Sequence, residues 1–238
     1  MPPRPSRYVG EFVVKDIAND RQYLADLLWK WDVGDDLTGW VLGGTTPPTI
    51  APDGQIDIFD NTPAAFSNTL AIFTLPTLSL GPCYHIFTCK FTKQIDDTSV
   101  DNQHFNAGIN TTAVLFSGGL MMMVSNLAGA TYLDWTNQGG DLLRSNFFVV
   151  LPTAGVEYRM ATILGPTTVQ CLWEGRKLGE IPTGSSVPGA QINLRPYQNW
   201  LSRPFKYIVM GGRHRLNEVT HYRVRDIKVG RLVGVGDV

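Results

Sequence analysis

Short runs of alternating apolar and polar residues, punctuated by glycine and proline, fill most of this chain. The stretch "KYIVMGGRHRLNEVTHYRVRDIKVGRL", Lys206 to Leu232, shows the pattern clearly. Tyr207 to Met210 is largely aromatic and β-branched and is followed by Gly211–Gly212, which predicts a strand that stops at the glycines. From His221 onward, Tyr222 and Val224 alternate with Arg223 and Arg225, and the parity slips at Asp226, so that Ile227 and Val229 fall out of step. Alternation predicts a half-buried strand, and the slip predicts a bulge within it. The intervening "GGRHRLNEVT" is too long for a two-residue hairpin and rich in groups that prefer water. It predicts an exposed loop that projects Arg213, His214 and Arg215 from one end of the fold. Val209, Val224, Ile227 and Val229 are the predicted core positions.

The same alternation recurs in "TLAIFTLPTLSL", "YHIFTCKFTKQI", "AGINTTAVLF", "LMMMVSN", "ATYLDWT", "FFVVLP", "VEYRMATIL", "TVQCLWEG" and "AQINLRPY", with turn formers between most of them. No fixed-period repeat is visible, which argues against propellers and solenoids. Ten or so strands in one chain predict an all-β fold, a two-sheet antiparallel jelly-roll sandwich. One segment departs from this pattern. In "DIANDRQYLADLLWKW", Ile17, Leu24, Leu27, Leu28 and Trp31 stand at helical spacing, with Asp16 or Asn19 available as a cap. The expected organisation is therefore a Pro/Arg-rich extended arm and one short amphipathic helix over residues 1–28, followed by a sandwich domain over 29–238.

Composition supports a β-rich reading. Charged residues make up 17% of 238 positions and hydrophobic ones 43%, with 24 glycines and 15 prolines as breakers. The formal net charge of −1 supplies no field to recruit nucleic acid or an anionic membrane. Cys83 and Cys89 fall on one strand-like run, about 20 Å apart if extended, too far to bridge. Three cysteines, Cys171 the third, cannot all pair within one chain, and Cys83 and Cys89 are expected as buried thiols. The first residues carry no apolar core of signal-peptide length, and "TTAVLFSGGLMMMVSNLAGA" is too interrupted to span a bilayer. The expectation is a soluble protein made in a cytoplasm.

Two segments carry a resemblance. "EYRMATILGPTTVQCLWEGRKLGEI" followed by "FKYIVMGGRHRLNEVTHYRVRDIKVGRL" resembles the second half of concanavalin A-like lectin/glucanase domains. In that superfamily an aromatic-led strand, matched by Tyr158 to Ile163, hairpins into one ending in a polar–Gly turn, matched by Leu172 to Gly175. A final "G-x-I-x-D-φ-x-φ" strand is matched by Arg223 to Val229, with Tyr222 or Arg223 in place of its opening glycine. "DLTGWVLGGTTPPTIAPDGQIDI" looks like the entry strands of the same domains. The resemblance implies the jelly-roll sandwich and leaves the activity open, because these are packing patterns.

No catalytic constellation stands out. The laminarinase-type members carry Glu-x-Asp-x-Glu on one strand, which sets three carboxylates on one face. None of the five glutamates here lies in such a run. "DGQIDIFD" puts Asp53, Gln55 and Asp57 on one face and Asp60 on the other, without the third carboxylate. In "NQHF", Gln103 adjoins His104 and misses the Gln-x-His spacing of alginate-lyase-like members. "HFN" and "LWEG" echo the galectin sugar signature but lie too far apart. His85, His104, His214 and His221 share no metal-ligand spacing, so neither metal nor cofactor is expected.

What remains is binding. Trp29, Trp31, Trp40 and Trp173 read as core anchors. Trp135, in "YLDWTNQGGD", is the candidate sugar-stacking residue, with Asp134, Asn137 and Gln138 as hydrogen-bonding neighbours. Arg4, Arg7 and Tyr8 in the arm, Trp200 between two prolines, and Arg213, His214 and Arg215 are the candidate partner contacts. Three functions are consistent with this. The first is a non-catalytic structural or attachment module of a larger assembly such as a phage virion, in contact with other protein subunits, copies of itself among them, and with a surface glycan. The second is a freestanding carbohydrate-binding module, and the third a divergent polysaccharide hydrolase or lyase.

Overall fold

A computed structural model describes residues 10–62, 66–75, 85–95, 101–110, 113, 119–127, 130–136, 142–149, 152–164, 168–174, 176–182, 206–215 and 219–237. They form sixteen strands and one short 3-10 turn, Ile17–Asn19. The strands are β1 (Gly10–Asp16), β2 (Arg21–Trp31), β3 (Trp40–Gly44), β4 (Thr49–Ile50), β5 (Ile56–Asp60), β6 (Phe66–Thr74), β7 (His85–Lys93) and β8 (Asp101–Asn110). They continue with β9 (Gly119–Leu127), β10 (Ala130–Thr136), β11 (Leu142–Val149), β12 (Glu157–Leu164), β13 (Thr168–Trp173), β14 (Arg176–Pro182), β15 (Tyr207–Arg215) and β16 (Thr220–Asp237). One sheet runs β1-β2-β16-β7-β12-β13-β14, with β5 alongside the first half of β16 and β4 beside β5. The second runs β11-β10-β9-β8-β15-β6-β3. Every ladder is antiparallel, so the all-β sandwich expected from the strand pattern is what the chain forms.

The core between the sheets is built by period two. From β7 come Phe87, Cys89 and Phe91, from β16 Tyr222, Val224 and Val229, and from the facing sheet Phe105, Ala107, Ile109, Ile208 and Met210. Trp31, Trp40 and Trp173 are buried as anchors, and Trp29 packs against Trp40 and Phe73. The parity slip at Asp226 is a bulge: the β16–β7 register shifts between Arg225 and Lys228, and Asp226 takes a positive φ of 49°. Ile227 is fully buried because of it; Val224 and Val229 are fully buried as well, and so is Val209, although it is on the other face of β15 from Ile208 and Met210.

The predicted helix is not there. Arg21 to Trp31 is a strand paired with β1 on one side and β16 on the other, and only Ile17–Asn19 turns helically. The apolar residues of β2 change faces midway, which explains the misreading. Tyr23 and Ala25 belong to one cluster, and Trp31 to the core between the sheets. The β16–β2 register shifts between Val229 and Gly230, across from Leu28. An alternating pattern that slips by one reads locally like three-and-four spacing. Residues 10–12 of the expected arm are likewise strand, paired with Ala25 to Leu27.

A second apolar cluster, Val14, Tyr23, Ala25, Ile86, Ala161, Ile163 and Leu172, lies on the other face of the first sheet. Tyr23 donates to Gln170 Oε1 at 2.5 Å, although β2 and β13 are four places apart in the sheet, about 19 Å if it were flat. The sheet therefore curls, folding β1, β2 and the tail of β16 over the outer side of β7, β12 and β13. The 3-10 turn comes to rest near β14. Desolvation in this second cluster pushes the Tyr23 phenol above its usual pKa.

Polar residues on the exposed part of that face form a charge network. Arg225 grips Glu157 with Nε at 2.5 Å from Oε2 and Nη2 at 3.0 Å from Oε1, and Lys90 Nζ adds a contact at 3.1 Å. The hydrogen bonds from Arg225, reinforced by Lys90, hold the Glu157 carboxyl below the usual carboxylate range. A carboxylate depressed on folding contributes its stability above its unfolded pKa of about 4.3, and that contribution disappears as pH falls through the lower folded value. Thermal melts should therefore show the wild type losing stability more steeply than Glu157→Gln below about pH 4.3. Parallel acid profiles would show that the pair contributes nothing.

Candidate functional site: the outward face of the second sheet

The second sheet presents its outward face through the register of β6, β15, β8, β9 and β10. Phe105, Ala107 and Ile109 face the core, so His104, Asn106, Gly108 and Asn110 belong to the other face. Strand pairing sets Asn68, Arg213, His104, Ser125 and Tyr132 side by side across five strands. The next row along the strands is Leu70, Gly211, Asn106 and Met123, and the one after is Ile72, Val209, Gly108 and Met121.

Asn106 sits between two positions without side chains on this face, Gly211 across from it and Gly108 two residues along. It is 1% exposed, and its Nδ2 has no hydrogen-bond partner. A buried amide donor left unmade costs about 1–3 kcal/mol, so it marks a place where an acceptor is missing. The site thus combines a polar row along the strands with an unsatisfied donor, and its described positions, Ile72, Asn106, Gly108, Asn110, Val209 and Gly211, are all buried, so the donor belongs to a covered layer. A hydroxyl-rich ligand that reached this layer would supply the missing acceptor, because each hydroxyl can accept from an amide and donate to a neighbour.

The structure redistributes the sequence-based candidates. Arg213, His214 and Arg215, expected in a loop after Gly211–Gly212, are strand residues of β15. β15 lies inside the sheet, and Gly211 pairs with Leu70 on one side and Asn106 on the other. Two flanking backbones outweigh the tendency of paired glycines to break a strand. Asp134 and Trp135, the candidate sugar-binding pair, are in β10, within the run "ATYLDWT" read as a strand. Being consecutive, they occupy alternate positions of the strand, Asp134 in step with Tyr132 and Trp135 with Leu133, which pairs with Val124 as Phe105 does. Asn137, Gln138, Arg4, Arg7, Tyr8 and Trp200 lie outside the described residues. Sequence reasoning missed Asn106, although its polar parity between Phe105 and Ala107 signals an outward position. The Asp53–Asp57 pair is engaged elsewhere: Asp57 holds His221 at 2.9 Å, and Asp53 holds Arg223 at 2.6 Å. Among the described residues no group of three or more His, Cys, Asp or Glu could hold a metal, and no helix is long and apolar enough to cross a membrane.

No protein-family model matches the sequence, and no curated protein does. Solved structures do match in fold. The CBM2 module of the evolved Dit of Lactobacillus casei BL23 phage J-1 superposes with a TM-score of 0.59 at 12% identity, covering 95% of this chain and 99% of that one. The carbohydrate recognition domain of Emp46p, in its metal-free form, gives 0.57 at 13% identity, over 87% of this chain and 100% of that one. Alginate lyase A1-II' of polysaccharide lyase family 7 gives 0.54 at 9% identity, over 82% of this chain and 96% of that one. The chain shares the concanavalin A-like jelly-roll fold. Recognition domains and a lyase are both built on it, so the fold leaves catalysis undecided.

Proposed function

We propose that this chain is a non-catalytic glycan-binding module serving as an attachment component of a larger assembly of the phage-particle kind, and that the glycan lies on the outward face of the second sheet. The unsatisfied Asn106 amide, in the row next to the one that contains Arg213, His104 and Ser125, carries this reading. The nearly whole-chain likeness to a phage carbohydrate-binding module supports both halves of it. In this account the protein is made in a cytoplasm and becomes virion-associated. The arm residues Arg4, Arg7 and Tyr8, together with Trp200, contact neighbouring subunits or other copies of the chain.

A glycan array with the intact chain tests the reading. The wild type should bind a defined set of glycans, and Arg213→Ala and Asn106→Leu should each weaken that binding about tenfold while keeping the β-type circular dichroism spectrum. Wild-type silence across the array, or binding indifferent to both substitutions, would remove the face from consideration. Sedimentation of a chain lacking residues 1–9 addresses assembly, which should be lost with the fold intact. A second reading, a polysaccharide lyase, draws on the same row, because it contains a His, a Tyr and an Arg, the residue types for abstracting a proton beside a carboxylate and neutralising the charge that forms. Release of unsaturated ends from a uronate polysaccharide would favour it over the binding module.

A further inference from the structure

The curl of the first sheet leaves a cleft of about 490 Å³ on the opposite side of the molecule from the face just described. One wall is β1, lined by Val13, Val14 and Lys15 with Ile17 beyond its end; the floor is the outer side of β7, β12 and β13, with Lys90, Glu157, Arg159, Ala161, Leu172 and Glu174. The volume lies within the range of small-molecule sites, about 300–1,000 Å³.

The charges in this cleft are unequal in what they have left to offer. Glu157 is saturated by Arg225 and Lys90. Arg159 gives Nη2 to Asp226 at 3.1 Å, and its backbone N–H to Glu174 Oε1. Its side chain is 45% exposed, with Nε and Nη1 unused among the described residues. Glu174, held at a φ of 50°, keeps Oε2 unused. Lys15 is exposed and makes no ion pair among the described residues. Val14, Ala161 and Leu172 supply an apolar floor without an aromatic ring. The outer edge of β1 carries no further strand among the described residues, so its main-chain groups border the cleft.

Three cations face two carboxylates here, and the surplus cation is the unpaired one. A ligand that completes this set carries one carboxylate for Lys15 and Arg159, hydroxyls for Glu174 and the β1 edge, and a compact C–H face for the floor. A fatty acid lacks the hydroxyls, and a neutral sugar lacks the charge. We propose that this cleft is a second ligand site that takes a hexuronate, an acidic sugar unit. The site is on the other sheet from the glycan face and stands independently of it.

Isothermal titration of the intact chain with sodium D-glucuronate, D-galacturonate and D-mannuronate, each beside its neutral hexose, tests this. At least one uronate should bind at millimolar affinity and at least about tenfold more tightly than its hexose, with binding that weakens as salt is raised. Lys15→Ala should weaken it about tenfold and Lys15→Arg should restore it, since either cation can meet a carboxylate. Lys15 is exposed, so neither change should move the thermal midpoint. Arg213→Ala should leave uronate binding as it was. Failure of all three uronates to bind, equal binding of a hexose, wild-type affinity in Lys15→Ala, or loss in Arg213→Ala would each overturn the assignment.

Discussion

Phe91→Ala is expected to destabilise the protein by about 3–5 kcal/mol, close to the whole margin of a marginal domain. Phe91 is fully buried at the centre of an aromatic group, with ring centroids of Phe105 at 4.9 Å, Trp173 at 5.3 Å, Tyr158 at 6.0 Å and Tyr222 at 6.2 Å. These rings come from β7, β8, β12, β13 and β16, so one truncation leaves a cavity that both sheets border. Four large neighbours in fixed rotamers cannot collapse into it without losing their own packing. Denaturant unfolding of the pure variant gives the number. A loss under about 1 kcal/mol would mean that the two sheets do not share this core.

The second large effect is expected at Gly230, where β16 passes close against β2. A Cβ there would lie 2.7 Å from the Asp26 carbonyl oxygen and 2.9 Å from the Ala25 Cβ, and would collide with the Phe12 ring. The Phe12 ring can rotate away, but the Asp26 carbonyl belongs to the β2 ladder. Gly230→Ala should therefore push β2 away from β16 and cost about 1–3 kcal/mol, with Gly230→Val at or beyond the upper end. Because β1 and β2 roof the second apolar cluster, hydrogen exchange in β1 should accelerate more than in β8. Uniform protection in the variant would contradict the curl.

How far the fold could be read from the sequence depended on where each strand finds its partners. The runs at Tyr207–Met210 and Tyr222–Val229 announced themselves because their own alternation matches a half-buried surface, and even the bulge at Asp226 left its mark as a slipped parity. β2 was illegible for the opposite reason. Its apolar residues serve two cores on opposite faces, and the choice of strand over helix rests on β1 and on β16, about two hundred residues away in sequence. The end of β15 was misread because Gly211–Gly212 look like a breaker until β6 and β8 lie on either side. Site residues suffered most from this non-locality. Arg213 and His104 are neighbours only through the β15–β8 register, and Lys15 meets Arg159 and Glu174 across one cleft only because the sheet curls.

The central claim, that a glycan sits on the outward face of the second sheet, is tested most directly by mapping amide chemical shifts as an array-selected glycan is titrated into isotope-labelled protein. The account predicts shifts concentrated on His104, Asn106, Gly108, Gly211 and Arg213, with the Asn106 side-chain amide moving most as its Nδ2 gains an acceptor. Shifts confined to the first sheet, or an Asn106 amide that stays in place while the glycan binds, would contradict it.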